Sequence, residues 1–122
     1  MAVVLVVDDS GYARRIMRKN LEAAQYNVIE ADGGIAAIET YYLQRPDVVL
    51  LDLTMEDLGG LDVLKRLREI NPEARVIVVS ADVQASTEGI VRDAGATAFL
   101  GKPVAADALY AAIERAMGSS HV

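Results

Sequence analysis

Three short apolar runs constrain the fold of this chain more than any other feature. Val3–Val7 (VVLVV), residues 48–51 (VVLL) and residues 76–79 (VIVV) are rich in β-branched side chains and contain no polar residue. A strand with one wet face alternates apolar and polar residues, because successive side chains point to opposite sides. Unbroken runs therefore predict strands covered on both faces, as in a central parallel sheet. Two weaker stretches, residues 27–30 (NVIE) and 97–100 (TAFL), read as edge strands.

Helical spacings fill the gaps between these runs. Ser10 is placed to cap a first helix, along which Ile16, Met17, Leu21 and Ala24 recur near the 3.6-residue period. Ile35, Ile38 and Tyr42 mark the second helix, and Leu61, Leu64 and Leu67 the third, which should stop by Asn71-Pro72. Ile90, Val91 and Ala94 anchor the fourth before Gly95, a C-terminal cap, while Leu109, Ile113 and Ala116 or Met117 mark the fifth. Parallel strands need crossovers of about a dozen residues, which these gaps supply, and such crossovers are right-handed. The prediction is a doubly wound, three-layer α/β domain of five strand–helix units over residues 1–117, with residues 118–122 a flexible tail. Periodicity leaves the strand order open.

Composition narrows the function. A chain of 122 residues suits one domain, and the absence of Cys excludes disulfide frameworks, thiolate catalysis and thiolate metal sites. A net charge of −6 offers no basic surface for phosphates, so nucleic-acid binding is not expected. No apolar run approaches the ~20 residues of a membrane span. The start carries no basic stretch of the kind that precedes a signal-peptide core, so a cytoplasmic location is expected.

In open α/β sheets, sites form beyond the carboxyl ends of the strands. Reading just past each run collects Asp8-Asp9, Asp52, Ser80 and Gly101-Lys102-Pro103. Each alone has an ordinary explanation as a turn former, a helix cap or a solvated charge. All of them at one sheet edge do not. Three carboxylates sharing a site repel and raise one another's pKa, a conflict that a divalent cation resolves. Oxygen ligands of this kind suit Mg²⁺, whereas the single histidine, His121 in the tail, leaves no zinc or copper ligand set. A metal and an ammonium flanking a carboxylate prepare it for phosphoryl transfer, with Asp52 the candidate nucleophile and Ser80 a hydrogen-bond donor to a phosphoryl oxygen.

With Val7-Asp8-Asp9-Ser10, Arg14-Arg15, Leu51-Asp52-Leu53-Thr54-Met55, Gly60-Leu61, Val79-Ser80-Ala81, Ala94-Gly95-Ala96 and Phe99-Leu100-Gly101-Lys102-Pro103 in this order, the chain resembles the receiver domains of two-component response regulators, in particular the stand-alone CheY-like type. The resemblance implies the strand order 2-1-3-4-5 of the flavodoxin-like fold and Asp52 as phosphoacceptor. It implies Mg²⁺ held by Asp9, Asp52 and the Thr54 carbonyl, with Asp8 acting through a bound water. Lys102 would contact the phosphoryl group, Ser80 would move toward it, and Phe99 would be the switch aromatic. The Lys102-Pro103 peptide is expected to be cis. The implied partners are a sensor histidine kinase as phosphodonor, a protein target on the face of the fourth helix, fifth strand and fifth helix, and a phosphatase. The implied state is a monomer or a phosphorylation-dependent dimer. Such a chain promotes only its own phosphorylation and dephosphorylation and is not otherwise an enzyme; chemotaxis enters by family analogy.

Glu56 replaces a usual proline and Gly59 a usual polar residue, which predicts a looser, more acidic loop after Asp52. Thr54 and Asp82 occupy positions that in the family tune the access of water to the phosphoryl group. Two alternatives share parts of this chemistry. A haloacid-dehalogenase-type phosphatase needs a second Asp where Thr54 stands, and a flavodoxin-like carrier needs a neutral phosphate loop where Asp8-Asp9 stand.

Overall fold

The computed structural model describes residues 2–118; the proposed tail from residue 119 onward, with His121, lies outside them. The elements alternate strictly: β1 (Val3–Val7), α1 (Gly11–Ala23), β2 (Asn27–Ala31), α2 (Gly34–Gln44), β3 (Val48–Asp52), α3 (Gly60–Ile70), β4 (Val76–Ser80), α4 (Ala85–Asp93), β5 (Ala98–Gly101) and α5 (Ala106–Gly118). The last helix includes Gly118, the first residue of the expected tail. The five strands form one parallel sheet in the order β2-β1-β3-β4-β5, with the two weaker strands at the edges.

Both faces of the sheet are covered, as the unbroken runs require. Leu5, Val7, Val49, Leu51, Val76 and Val78 pack on one side with residues of α2, α3 and α4, including Ala37, Tyr41, Leu64, Leu67 and Val91. Val4, Val6, Val48, Leu50, Ile77 and Val79 pack on the other with Leu21 of α1 and Leu109 and Ile113 of α5. Neighbours along each strand thus belong to different cores. Each fully buried Val, Leu or Ile contributes about 1.5–3 kcal/mol relative to exposure.

Local signals set several helix ends. The Ser10 side chain accepts from the Ala13 N–H at 3.2 Å, capping α1. Past α4, Gly95 adopts φ +104°, and a Cβ there would lie 2.7 Å from Arg68 Nε, so both the backbone and the space call for glycine. The Arg68 guanidinium donates to the Gly95 and Pro72 carbonyls and to Thr97, tying the end of α3 to the α4–β5 turn.

Some helix faces differ from the spacing-based expectation. Tyr41, 2% exposed, is the core residue of α2, whereas Tyr42 is 63% exposed and Ile35 also faces out. This helix is apolar nearly all round, so the period alone does not select the inner face; Gly34, Ala37 and Tyr41 are the residues that turn inward. The Tyr41 hydroxyl accepts from Asn71 Nδ2 at 3.1 Å, which satisfies it at the core boundary. Ile16 and Ile90 are likewise exposed, leaving Leu21 and Val91 as the buried anchors of α1 and α4.

Candidate functional site

The carboxyl ends of β1, β3, β4 and β5 meet at one edge of the sheet. Asp8 follows β1, and its amide donates to the Ala31 carbonyl at 3.2 Å, continuing the pairing with β2. Its Oδ1 accepts from the Ser10 N–H at 2.9 Å, a local turn that aims Oδ2 at Lys102. Lys102 Nζ donates to that Oδ2 at 3.1 Å and stands 3.6 Å from Asp52 Oδ1. Asp52 closes β3 opposite Val79, and its Oδ1 also accepts from the Thr54 N–H at 3.3 Å. Carboxylate oxygens of Asp8, Asp9 and Asp52 all lie within 4.8 Å of one another. Segments far apart in the chain thus bring three acids and one amine together.

Burial divides these groups. Asp8 and Asp52 are only 6% and 8% exposed, while Asp9 is open to solvent. Burial pushes the Asp52 carboxyl above the usual carboxylate range; the charges of Asp8 and Asp9 push the same way, opposed by Lys102 and the Thr54 N–H. Three formal negative charges face one ammonium. The donor set is all oxygen and hard, and a divalent cation bridging it would remove the repulsion, so the residues fit such an ion.

Ser80, buried at the end of β4, stands next to Gly101 in the sheet. Its carbonyl accepts from the Lys102 N–H at 2.8 Å, and its Oγ accepts from the Asp82 N–H at 3.0 Å. Ser80 does not cap α4, whose N-cap is Gln84. Asp82 instead secures the start of that helix, accepting from the Gln84 N–H and the Thr87 hydroxyl. The Lys102-Pro103 peptide is cis. Phe99 is half-buried and packs on the core beneath α4, on the face of the sheet away from α1 and α5.

The loop after Asp52 is fastened at three points, although it lacks the proline that would stiffen it. Met55 is buried in the core. Gly60 passes so near the strand end that a Cβ would lie within 2.6 Å of Leu53 Cα and closer still to the Asp52 carbonyl oxygen. Asp57 reaches across to the start of α2, accepting from the Gly34 and Ile35 N–H groups. Spacing carries no signal for that contact, since its partners lie more than twenty residues earlier.

Arg14 also supports the site, donating to the Asp8 carbonyl at 2.6 Å and to Glu30 at 3.0 Å. Between α1 and the β5–α5 loop, a cavity of about 510 Å³ opens beside Asp52 and Lys102; Tyr12, Ile16, Met17, Leu50, Pro103 and Val104 line it.

Residues 4–114 match the family model described as response regulator receiver domain. The chain belongs to that family. The receiver is 36% identical over 120 residues to the chemotaxis protein CheY of Listeria monocytogenes, covering 95% of this chain and 98% of that one. It is 39% identical over 117 residues to the transcriptional regulatory protein KdpE of Mycobacterium tuberculosis, covering 96% of this chain and 51% of that longer protein. Among solved structures, a response regulator receiver domain from Clostridium thermocellum superposes with a TM-score of 0.94 at 27% identity, covering 99% of this chain and 98% of that one. Two-component signalling is therefore the setting of this domain, and neither the phosphatase nor the electron-carrier alternative is favoured.

Proposed function

We propose that the receiver is a phosphorylation-operated switch whose acceptor is Asp52, loaded from a phosphohistidine on a partner kinase. The observation that carries this reading is Asp52 itself: a buried carboxylate at a strand end, ringed by Asp8, Asp9 and Lys102. A carboxylate oxygen of Asp52 attacks phosphorus, the bond to the donor imidazole breaks, and the imidazole nitrogen keeps the electron pair. Lys102 meets the negative charge spread over the phosphoryl oxygens. Asp9, Asp52 and the Thr54 carbonyl would hold Mg²⁺, with Asp8 acting through a bound water. When bound, the ion neutralises charge on the acids and on the incoming phosphoryl group.

The output follows from Ser80. To donate to a phosphoryl oxygen, its hydroxyl turns away from the Asp82 N–H and so loosens the start of α4. The phosphoryl group favours that arrangement only through such differential contacts. The space Ser80 vacates is open to Phe99, and the changed surface is the α4–β5–α5 face, where a target protein binds. The apolar groove between α1 and Pro103 is the surface that the body of the donor covers. No described helix is long and apolar enough to cross a membrane, and we place the receiver in the cytoplasm with its kinase. Apart from its own acyl phosphate chemistry it turns over no substrate.

Incubation with acetyl phosphate and Mg²⁺, followed by intact mass, tests the reading. One phosphoryl group is expected on the wild type and none on Asp52→Asn. An equal gain on both would move the acceptor elsewhere.

A further inference from the structure

We infer that Asp57 is a positioning residue for the phosphoacceptor site, acting by locking the β3–α3 loop to the N-terminus of α2. This rests on the reading that Asp9, Asp52 and Thr54 hold a divalent cation. Asp57 Oδ1 accepts from the Gly34 N–H at 2.9 Å and from its neighbour Leu58 at 2.8 Å, and Oδ2 accepts from the Ile35 N–H at 3.1 Å. Helix α2 starts at Gly33-Gly34 and has no side-chain cap of its own. The first amides of a helix lack intrahelical partners, and its positive end favours a carboxylate. Asp57 supplies both from a different loop. Its partners hold its carboxyl below the usual range, the Gly34 N–H foremost and the Ile35 N–H next.

The packing around the contact is built for it. A Cβ on Gly33 would sit 3.0 Å from both carboxylate oxygens of Asp57. A Cβ on Gly34 would sit 2.8 Å from the Leu58 Cβ, the Leu58 carbonyl and Val63. The two glycines let the β2–α2 turn lie directly against the loop. That loop carries Thr54 three residues before Asp57, and the Thr54 N–H already donates to Asp52. Gly60 fixes the far end of the loop and Met55 its middle, so the Asp57 contact closes the remaining free stretch. Without it, the Thr54 carbonyl and amide lose their fixed distance from Asp52. This chain has no proline between Asp52 and Gly60; Glu56 is followed instead by a carboxylate that stiffens the loop through a neighbouring helix.

The test is Mg²⁺ binding by calorimetry on wild type, Asp57→Ala, Asp57→Asn and Gly33→Ala, with amide hydrogen exchange measured in the absence of metal. Supporting groups around metal ligands commonly set affinity tenfold or more. Asp57→Ala is expected to weaken Mg²⁺ about tenfold. It should also speed exchange at Gly34, Ile35 and Thr54 while urea unfolding still shows one cooperative transition. Asp57→Asn, whose amide oxygen still accepts, should recover part of the affinity, and Gly33→Ala should act in the same direction as Asp57→Ala but less. A purely structural cap would lower the unfolding midpoint and leave Mg²⁺ affinity and Thr54 exchange unchanged, which would overturn the inference alone. A wild type that binds no Mg²⁺ would overturn the cation reading and the inference with it.

Discussion

Strand β3 and helix α4 lie at opposite extremes of burial within the same domain. All five residues of β3 are buried, the terminal Asp52 included, whereas only Val91 of α4 is. The strand is locked on both flanks by β1 and β4 and covered on both faces. The helix is held at its C-terminal side by the Gly95–Arg68 contact and at its start by hydrogen bonds to Asp82. Chemistry that needs fixed distances therefore sits on the rigid element. The proposed response involves a thinly anchored element, whose local equilibrium costs little to shift.

That contrast can be broken by mutation, and the largest difference is expected in stability. Leu50→Ala removes a β3 side chain that is 2% exposed and should cost about 2–5 kcal/mol in urea unfolding. Ile90→Ala on α4 should change stability by no more than about 0.5 kcal/mol. Similar costs at the two sites would abolish the distinction between frame and lever.

A smaller effect is expected where frame and loop meet. Gly60→Ala forces a Cβ against Leu53 Cα and the Asp52 carbonyl, and overpacking of this kind costs about 1–3 kcal/mol. Because the displaced backbone is that of the proposed acceptor, acetyl phosphate labelling should slow in the same variant. Stability loss without slower labelling would separate the loop from the chemistry.

The smallest effects should appear in pH dependence, with opposite signs in the two regions. Burial, above all, raises the Asp52 carboxyl, so its ionised form is disfavoured in the fold. Asp52→Asn should therefore be more stable than wild type at neutral pH; the gain should start to shrink as pH falls through the raised folded value and be gone below the unfolded value of about 3.9. The Thr87 hydroxyl, chiefly, lowers the Asp82 carboxyl, with the Gln84 N–H adding to it. Its contribution is present above the unfolded value of about 3.9 and is lost as pH falls through the lower folded value. Asp82→Asn should thus be slightly less stable at neutral pH, with the deficit closing in acid. Urea midpoints across the acid range measure both; equal signs would contradict the assignment.

The same division governs what could be read in the residues. The strands were legible because a run such as VVLVV has no polar face to give to water. Asp8, Asp9, Asp52, Ser80 and Lys102 were legible because each ends an apolar strand or follows one within two residues, and a parallel sheet places all such ends together. Helix faces were less so. Tyr41 and Tyr42 are chemically identical neighbours, and packing against the sheet, not composition, turns one inward. The thin anchoring of α4 could be anticipated from its few apolar residues. Asp57 could not, because its role exists only once two loops from different parts of the chain have met.

The most direct test of the account is to phosphorylate the receiver in Mg²⁺, trap the acyl phosphate by borohydride reduction and map the modified residue by peptide sequencing. Reduction converts a phosphorylated aspartate to homoserine. The account predicts homoserine at position 52 and nowhere else; homoserine at position 8 or 9, with Asp52 intact, would contradict it.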